Sequence, residues 1–223
     1  MSTLSAIQNR LENLLAEKNC PITAQIIAQL EQQNYQGQLA STFIAQCCRT
    51  FNLSTTELAL YCVAIAACYA QVPVSHFYVG AVAIGRSGTF YFGANQEFSS
   101  VAIQQTIHAE QSAISHAWLA GEKAITDMAV NTTPCGHCRQ FMNELNSADS
   151  LQIHLPHSRN NSLHDYLPDA FGPKNLNIEH LLFDEQPHQF QMRGDELIKS
   201  AILAAQQSYA PYSGAMSGVA LQA

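Results

Sequence analysis

Residues 124–141, "AITDMAVNTTPCGHCRQF", decide how this chain is read. The first ten residues have the apolar, β-branched content of a strand and end in two threonines. Pro134 follows, a residue suited to a helix start, and "RQFMNELN" beyond it has a helical pattern. A strand that feeds a helix through a tight turn is a building unit of α/β folds. The turn itself carries Cys135, His137 and Cys138. Thiols at a helix N-terminus ionise readily and can bind a metal. Taken alone, the C-x-x-C remains open between a disulfide, a thioredoxin-like redox pair, a closed structural zinc site and one side of an open catalytic site.

Working outward, the pattern alternates strand and helix. "STTE" at 54–57 has the form of a capping box before the apolar helix "LALYCVAIAACYA". "FYVGAVAIG" and "TFYFGAN" read as strands joined by the turn "RSG". "IQQTIHAEQSAISHAWLAGE", residues 103–122, reads as a helix stopping near Gly121. After the 124–141 unit come the strand "LQIHLP", the Pro/Gly-rich loop "LHDYLPDAFGPKNL" and a short strand "HLLFD". Upstream, residues 4–50 read as helical, with Leu4, Ile7, Leu11, Leu14 and Leu15 at helical spacing. The expected class is α/β: a three-layer α-β-α sandwich around a mixed central sheet, with a helical N-terminal region.

Near the C-terminus, "LIKSAILAAQQSYAPYSGAMSGVAL" echoes "LALYCVAIAACYAQVPVSHFYVGAVA". At an offset of 138, Ala66 matches Ala204, Ala67 matches Ala205, Pro73 matches Pro211, Ser75 matches Ser213 and Gly80 matches Gly218. This predicts a second, degenerate copy of the domain. The copy breaks off at Ala223 in its first strand, so this end reads as a fragment of a longer protein. The expected division is 1–52 for the helical region, 53–186 for the zinc-binding catalytic domain and 187–223 for the start of the zinc-less copy.

The rest of the metal site is not a second C-x-x-C, since the chain has none. It is "HAE", His108 to Glu110, 27 positions before Cys135. That distance leaves room for one helix and one strand, bringing two helix starts to the same sheet edge. His108, Cys135 and Cys138 then provide three ligands, and three ligands leave a fourth tetrahedral position for water. Glu110 points off the ligand face and can serve as proton acceptor. His137 lies between two thiolates that turn towards one ion. A single helical turn does not readily aim all three inward, so His137 reads as a packing or supporting residue. The order H-x-E…P-C-x-x-C is the signature of zinc deaminases. In "GANQEF", Asn95 and Glu97 sit two apart at a strand end, a pair suited to ribose hydroxyls.

Bulk properties narrow the partners. Of 223 residues, 47% are hydrophobic and 12% charged, which fits a compact core and excludes disorder. The net charge of −7 disfavours a polynucleotide partner. No apolar run reaches about 18 residues, so no membrane span is expected. The N-terminal stretch lacks the form of a signal peptide. Seven scattered cysteines give no disulfide framework, and a reducing cytoplasm fits best.

Together, "VSHFYVGA", "GANQEF", "HAEQ", "TPCGHCRQF" and "LPDAFGP" resemble cytidine deaminase, in its larger homodimeric bacterial type. The resemblance spans nearly the whole chain. It implies hydrolytic deamination of cytidine and 2′-deoxycytidine to the uridine forms plus ammonia, as in pyrimidine salvage. It implies one Zn2+ per chain on His108, Cys135 and Cys138, with Glu110 as proton shuttle. Asn95 and Glu97 correspond to the ribose-binding pair and Phe77 to the base-stacking aromatic. The backbone of Ala109 and Thr133 would hold the base edge and the amine, and Phe171 would lie at the active site. A homodimer with the site completed across its interface is implied as well. The related small tetrameric enzymes carry Cys where this chain has His108. Two rivals remain at this level: a deaminase of polynucleotides, which needs a basic channel, and a structural-zinc or redox-sensing protein.

Overall fold

The computed structural model describes residues 3–222. The first two residues of the predicted N-terminal helix and the last residue of the predicted second-copy strand lie outside this range. In chain order the elements are α1 (Thr3–Lys18), α2 (Pro21–Gln32), β1 (Gln38–Leu39), α3 (Ser41–Phe51), α4 (Thr55–Ala67), β2 (Gly80–Gly85) and β3 (Phe90–Ala94). There follow α5 (Ala109–Leu119), β4 (Ile125–Val130), α6 (Gly136–Met142), β5 (Gln152–Leu155), β6 (Ser158–Ser162), α7 (Leu163–Tyr166) and α8 (Glu196–Gln207).

The six strands form one mixed sheet in the order β1-β3-β2-β4-β5-β6. Only β4 and β5 run parallel. The central strand β2 is buried on both faces, and its side chains alternate between them. Val82 and Ile84 pack with the helices α1–α4. Ala81 and Ala83 pack on the other side with Ala113 and Ile114 of α5 and Met142 of α6. The sheet is therefore the middle of three layers, as the alternating pattern predicts.

Local chemistry sets the helix starts. Ser54 caps α4: its hydroxyl accepts from the Glu57 N–H, and Glu57 accepts from the Ser54 N–H in return. Three expectations are corrected. The helix predicted over 103–122 is a short 3-10 turn at Ile103–Gln105, then a break, and α5 starts only at Ala109. The predicted strand at 180–184 makes a single bridge, between Leu145 and Leu182. The helical reading of residues 4–50 misses β1, which pairs with β3 through Gln38 and Leu39.

Close strand–helix contact places the site. A Cβ on Gly93 would lie 2.2 Å from both the Ala109 carbonyl oxygen and the Ala113 nitrogen, so this glycine lets the first turn of α5 rest directly on β3. The second copy reuses the geometry of the first. A Cβ on Gly80 would meet Val63 O at 2.2 Å and Ala67 N at 2.4 Å; one on Gly218 would meet Ala201 O at 2.1 Å and Ala205 N at 2.4 Å. The turns match as well: Phe77 N–H donates to Ser75 Oγ at 3.0 Å, and Ala215 N–H to Ser213 Oγ at 3.2 Å. His76 and Gly214 both have positive φ, 55° and 63°. Ala215 stands where the first copy has Phe77. The repeat docks just beyond the end of α6 through Tyr209 and Tyr212, whose hydroxyls both donate to the Glu144 carboxylate at 2.7 Å.

Candidate metal centre and active site

Two connections end at the same sheet edge. From β3 the chain runs through a Gln96–Ile107 bridge and arrives at His108, the residue that caps α5. The His108 N–H, which α5 itself cannot satisfy, donates to Gln111 Oε1 at 2.9 Å. From β4 the chain crosses 131–134 to Cys135, which caps α6, and Cys138 follows one turn later. Because β2 and β4 are neighbours, both helix starts meet above them.

His108 Nδ1 lies 3.4 Å from Cys135 Sγ, and one ligating atom from each of His108, Cys135 and Cys138 falls within 4.8 Å of the others. A tetrahedral zinc with Zn–S and Zn–N bonds of about 2.3 and 2.0–2.1 Å keeps its ligand atoms roughly 3.5–3.8 Å apart. The trio fits such an ion without rebuilding the backbone. Charge points the same way. Burial, the Glu110 carboxylate and the Cys135 sulfur all push the Cys138 thiol far up from its ordinary value. Cys138 and Glu110 are buried while Cys135 is exposed, and a dication between them would favour the thiolate forms over the protonated ones. His137 is outside the trio and exposed; its ring packs edge-on against His108, with Nε2 3.3 Å from Gln111 Nε2.

A cavity of ≈ 260 Å³ opens beside this cluster. Its wall contains His108, Glu110 and Cys135 together with Phe77, Asn95, Ala109 and Thr133, all picked out from sequence. Glu110 is only 4% exposed. Val79, Thr106 and Thr132 also line the cavity and were missed. Their only signal was adjacency to motif residues. Cys138 lies behind the wall, buried under α6.

Glu97 and Phe171 are not part of that wall. Asn95 and Glu97, the pair expected to suit ribose hydroxyls, are both also engaged by their own chain. Asn95 Oδ1 accepts from Val79 N–H at 2.9 Å and its Nδ2 donates to Phe77 C=O at 2.8 Å. Glu97 accepts from the N–H groups of Val74 and Ser75 at 2.9 and 3.0 Å and from the Ser75 hydroxyl. Those Ser75 bonds, with the Val74 N–H, hold its carboxyl below the usual range. Strand β3 has already ended at Ala94, so the strict two-residue alternation no longer applies. Phe171 is 63% exposed, and its carbonyl accepts from Gln140 and Asn143, which docks its loop on the end of α6.

Residues 53–153 match the model of the cytidine and deoxycytidylate deaminase zinc-binding region, and residues 163–223 match a second model of the same description. The cytidine deaminase of Haemophilus ducreyi is 65% identical over 222 residues, covering 100% of this chain and 74% of the relative. The chain belongs to the cytidine and deoxycytidylate deaminase family. The cytidine deaminase of Actinobacillus succinogenes is 63% identical over 97% of this chain and 73% of its own. A solved structure of cytidine deaminase from Burkholderia pseudomallei is similar over 52% of this chain and 98% of that one, at 31% identity and a TM-score of 0.46. Membership makes this a zinc-dependent deaminase, and the two matched regions overlap the two copies found as a repeat. Among the described residues, no helix is long and apolar enough to cross a membrane.

Proposed function

We propose that the chain hydrolyses the exocyclic amine of cytidine and 2′-deoxycytidine, releasing ammonia and the uridine forms. The observation that carries this is the meeting of His108, Cys135 and the buried Glu110 in the wall of a single nucleoside-sized cavity, with the Cys138 sulfur behind it within 4.8 Å of the other two ligand atoms. His108, Cys135 and Cys138 would hold the zinc ion, which when bound would supply Lewis-acid activation of water.

The chain's own groups do the rest. Glu110 takes the proton that the water loses as its oxygen bonds to C4. It delivers that proton to ring N3, then takes the proton of the new C4 hydroxyl and passes it to the amine, which leaves as ammonia while C4=O forms. Burial suits this work, because water cannot level the proton transfers. The Ala109 N–H, in the first turn of α5, has no helical partner and is free to bind the base edge. The Thr133 carbonyl accepts from the amine, and Phe77 stacks on the ring. Asn95 meets the ribose from the wall. Glu97 keeps acceptor capacity beyond the three bonds that hold the 74–75 turn.

A homodimer completes the site. Phe77 in the cavity wall is 59% exposed, and Val101 and Ile103, in the segment leading to His108, are 51% and 83% exposed, apolar surface that a partner subunit would cover. All seven cysteines are free thiols, in keeping with a reducing cytoplasm. The test is the loss of ultraviolet absorbance on adding cytidine. Turnover that stops with a chelator and returns with zinc is the expected result. Absence of turnover in a dimeric, zinc-loaded protein would reject the reading.

A further inference from the structure

The helices α1–α3 put no residue in the cavity wall, yet one of their side chains reaches the loop that does. Arg10 of α1 binds carbonyls 58 and 60 positions away: its Nε donates to Cys68 O at 2.7 Å and its Nη2 to Ala70 O at 3.2 Å. Cys68 is the C-cap of α4, where carbonyls lack helical partners and carry partial negative charge. The two bonds hold the flat guanidinium in one orientation, which a lysine could not reproduce. Its central carbon lies 5.8 Å from the centre of the Tyr78 ring, within cation–π reach.

Tyr78 lies between Phe77 and Val79, both of which line the cavity while Tyr78 does not. Asn95 brackets it from one side through Phe77 C=O and Val79 N–H. Asn131 brackets it from the other, accepting from Gly80 N–H and donating to Tyr78 C=O, both at 3.1 Å. Along 77–79 the chain thus meets the cavity at alternate residues. The ring of Tyr78 turned onto Arg10 therefore sets the ring of Phe77 turned into the cavity.

We propose that Arg10 is a positioning residue: through Tyr78 it fixes the Phe77 ring against which a pyrimidine base stacks. This rests on the cytidine deaminase reading of the site. The N-terminal helices thus brace one wall of the active site as well as covering the sheet.

The test is a double-mutant cycle on the full chain with Arg10→Met and Tyr78→Leu, followed by KM, kcat, Tm and hydrogen exchange over residues 72–80. Arg10→Met should raise KM for cytidine about 3- to 30-fold, the range of one such contact. It should leave kcat within about twofold, a split expected of lost ground-state binding. Exchange over 72–80 should quicken, and Arg10→Lys should recover part of the loss. In the Tyr78→Leu background, Arg10→Met should add nothing further. A wild-type KM, or an equal KM rise in both backgrounds, would overturn the proposal. If Arg10→Met does not fold, Arg10→Lys in the same cycle decides. Wild-type turnover of cytidine tests the activity reading separately. Were that to fail, exchange over 72–80 would still decide the coupling: unchanged protection in the Arg10 variants would refute it.

Discussion

Gly93→Ala offers the sharpest test of how this fold builds its metal centre. The new methyl would lie 2.2 Å from Ala109 O, 2.2 Å from Ala113 N and 2.7 Å from Ala113 Cα. All three are backbone atoms of the first turns of α5, and none can rotate away. Relief requires α5 to lift from β3 by roughly 1 Å, given ordinary van der Waals separations. Overpacking of this kind costs about 1–3 kcal/mol. In a chain of this size that lowers Tm by about 2–12 °C. The lift also carries His108 and Glu110 away from Cys135 and Cys138, which ride on α6 and stay put. A displacement of about 1 Å in catalytic groups costs on the order of 10²-fold in rate. The control is Gly218→Ala, whose methyl would sit 2.1 Å from Ala201 O but in the second copy, away from the trio. The assay pairs thermal melting with zinc retention against a chelator and cytidine turnover. Gly93→Ala should lose stability, zinc affinity and rate together; Gly218→Ala should lose stability alone. Wild-type turnover in Gly93→Ala, or equal loss of activity in both variants, would refute the reasoning.

Three further outcomes are expected. Glu110→Gln should keep its zinc and lose at least about 10²-fold in kcat, while His137→Ala should keep zinc and Cys138→Ser should not, as measured by metal analysis after dialysis. Glu144→Gln should weaken the docking of Tyr209 and Tyr212 and cost about 1–3 kcal/mol, seen as a lower urea midpoint with zinc content unchanged. Burial opposes ionisation of Asp127, but hydrogen bonds from the buried His154 and from Thr126 outweigh it and hold its pKa below the usual value. Its contribution to stability is therefore full above the unfolded value of about 3.9 and is lost as pH falls through the lower folded one. Asp127→Asn should flatten the acid end of the stability–pH curve, a change visible in denaturant titrations between pH 2 and 5.

The meeting of His108, Cys135 and Cys138 was legible because their chemistry belongs to the side chains themselves. Two thiols three apart at a strand–helix junction and an H-x-E at another helix start leave few alternatives. The start of α5 was misplaced by several residues. A periodic pattern from 103 onward carries no mark of the break, which exists because the Gln96–Ile107 bridge pulls the chain into extended form. The edge strands β1 and β6 escaped for a related reason. Two residues at Gln38–Leu39 and the polar run at Ser158–Ser162 are strands only because β3 and β5 lie beside them.

Asn95 and Glu97 mark the boundary most clearly. Their amide and carboxylate read as binding groups, and in the folded chain they join Asn131, which no pattern singled out, in holding the 74–80 segment in place. A polar side chain at a strand end can serve ligand or backbone, and its type does not say which. By itself the sequence determined the layer order and picked out the His108, Cys135, Cys138 and Glu110 cluster proposed to hold zinc and carry the proton, since each follows from local pattern or from intrinsic side-chain chemistry. The tertiary structure alone decided which loop becomes the wall of the cavity and what holds it there. Contacts such as Arg10 with Tyr78 join residues 68 positions apart in sequence, and only the packing of α1 against the end of α4 brings them within reach.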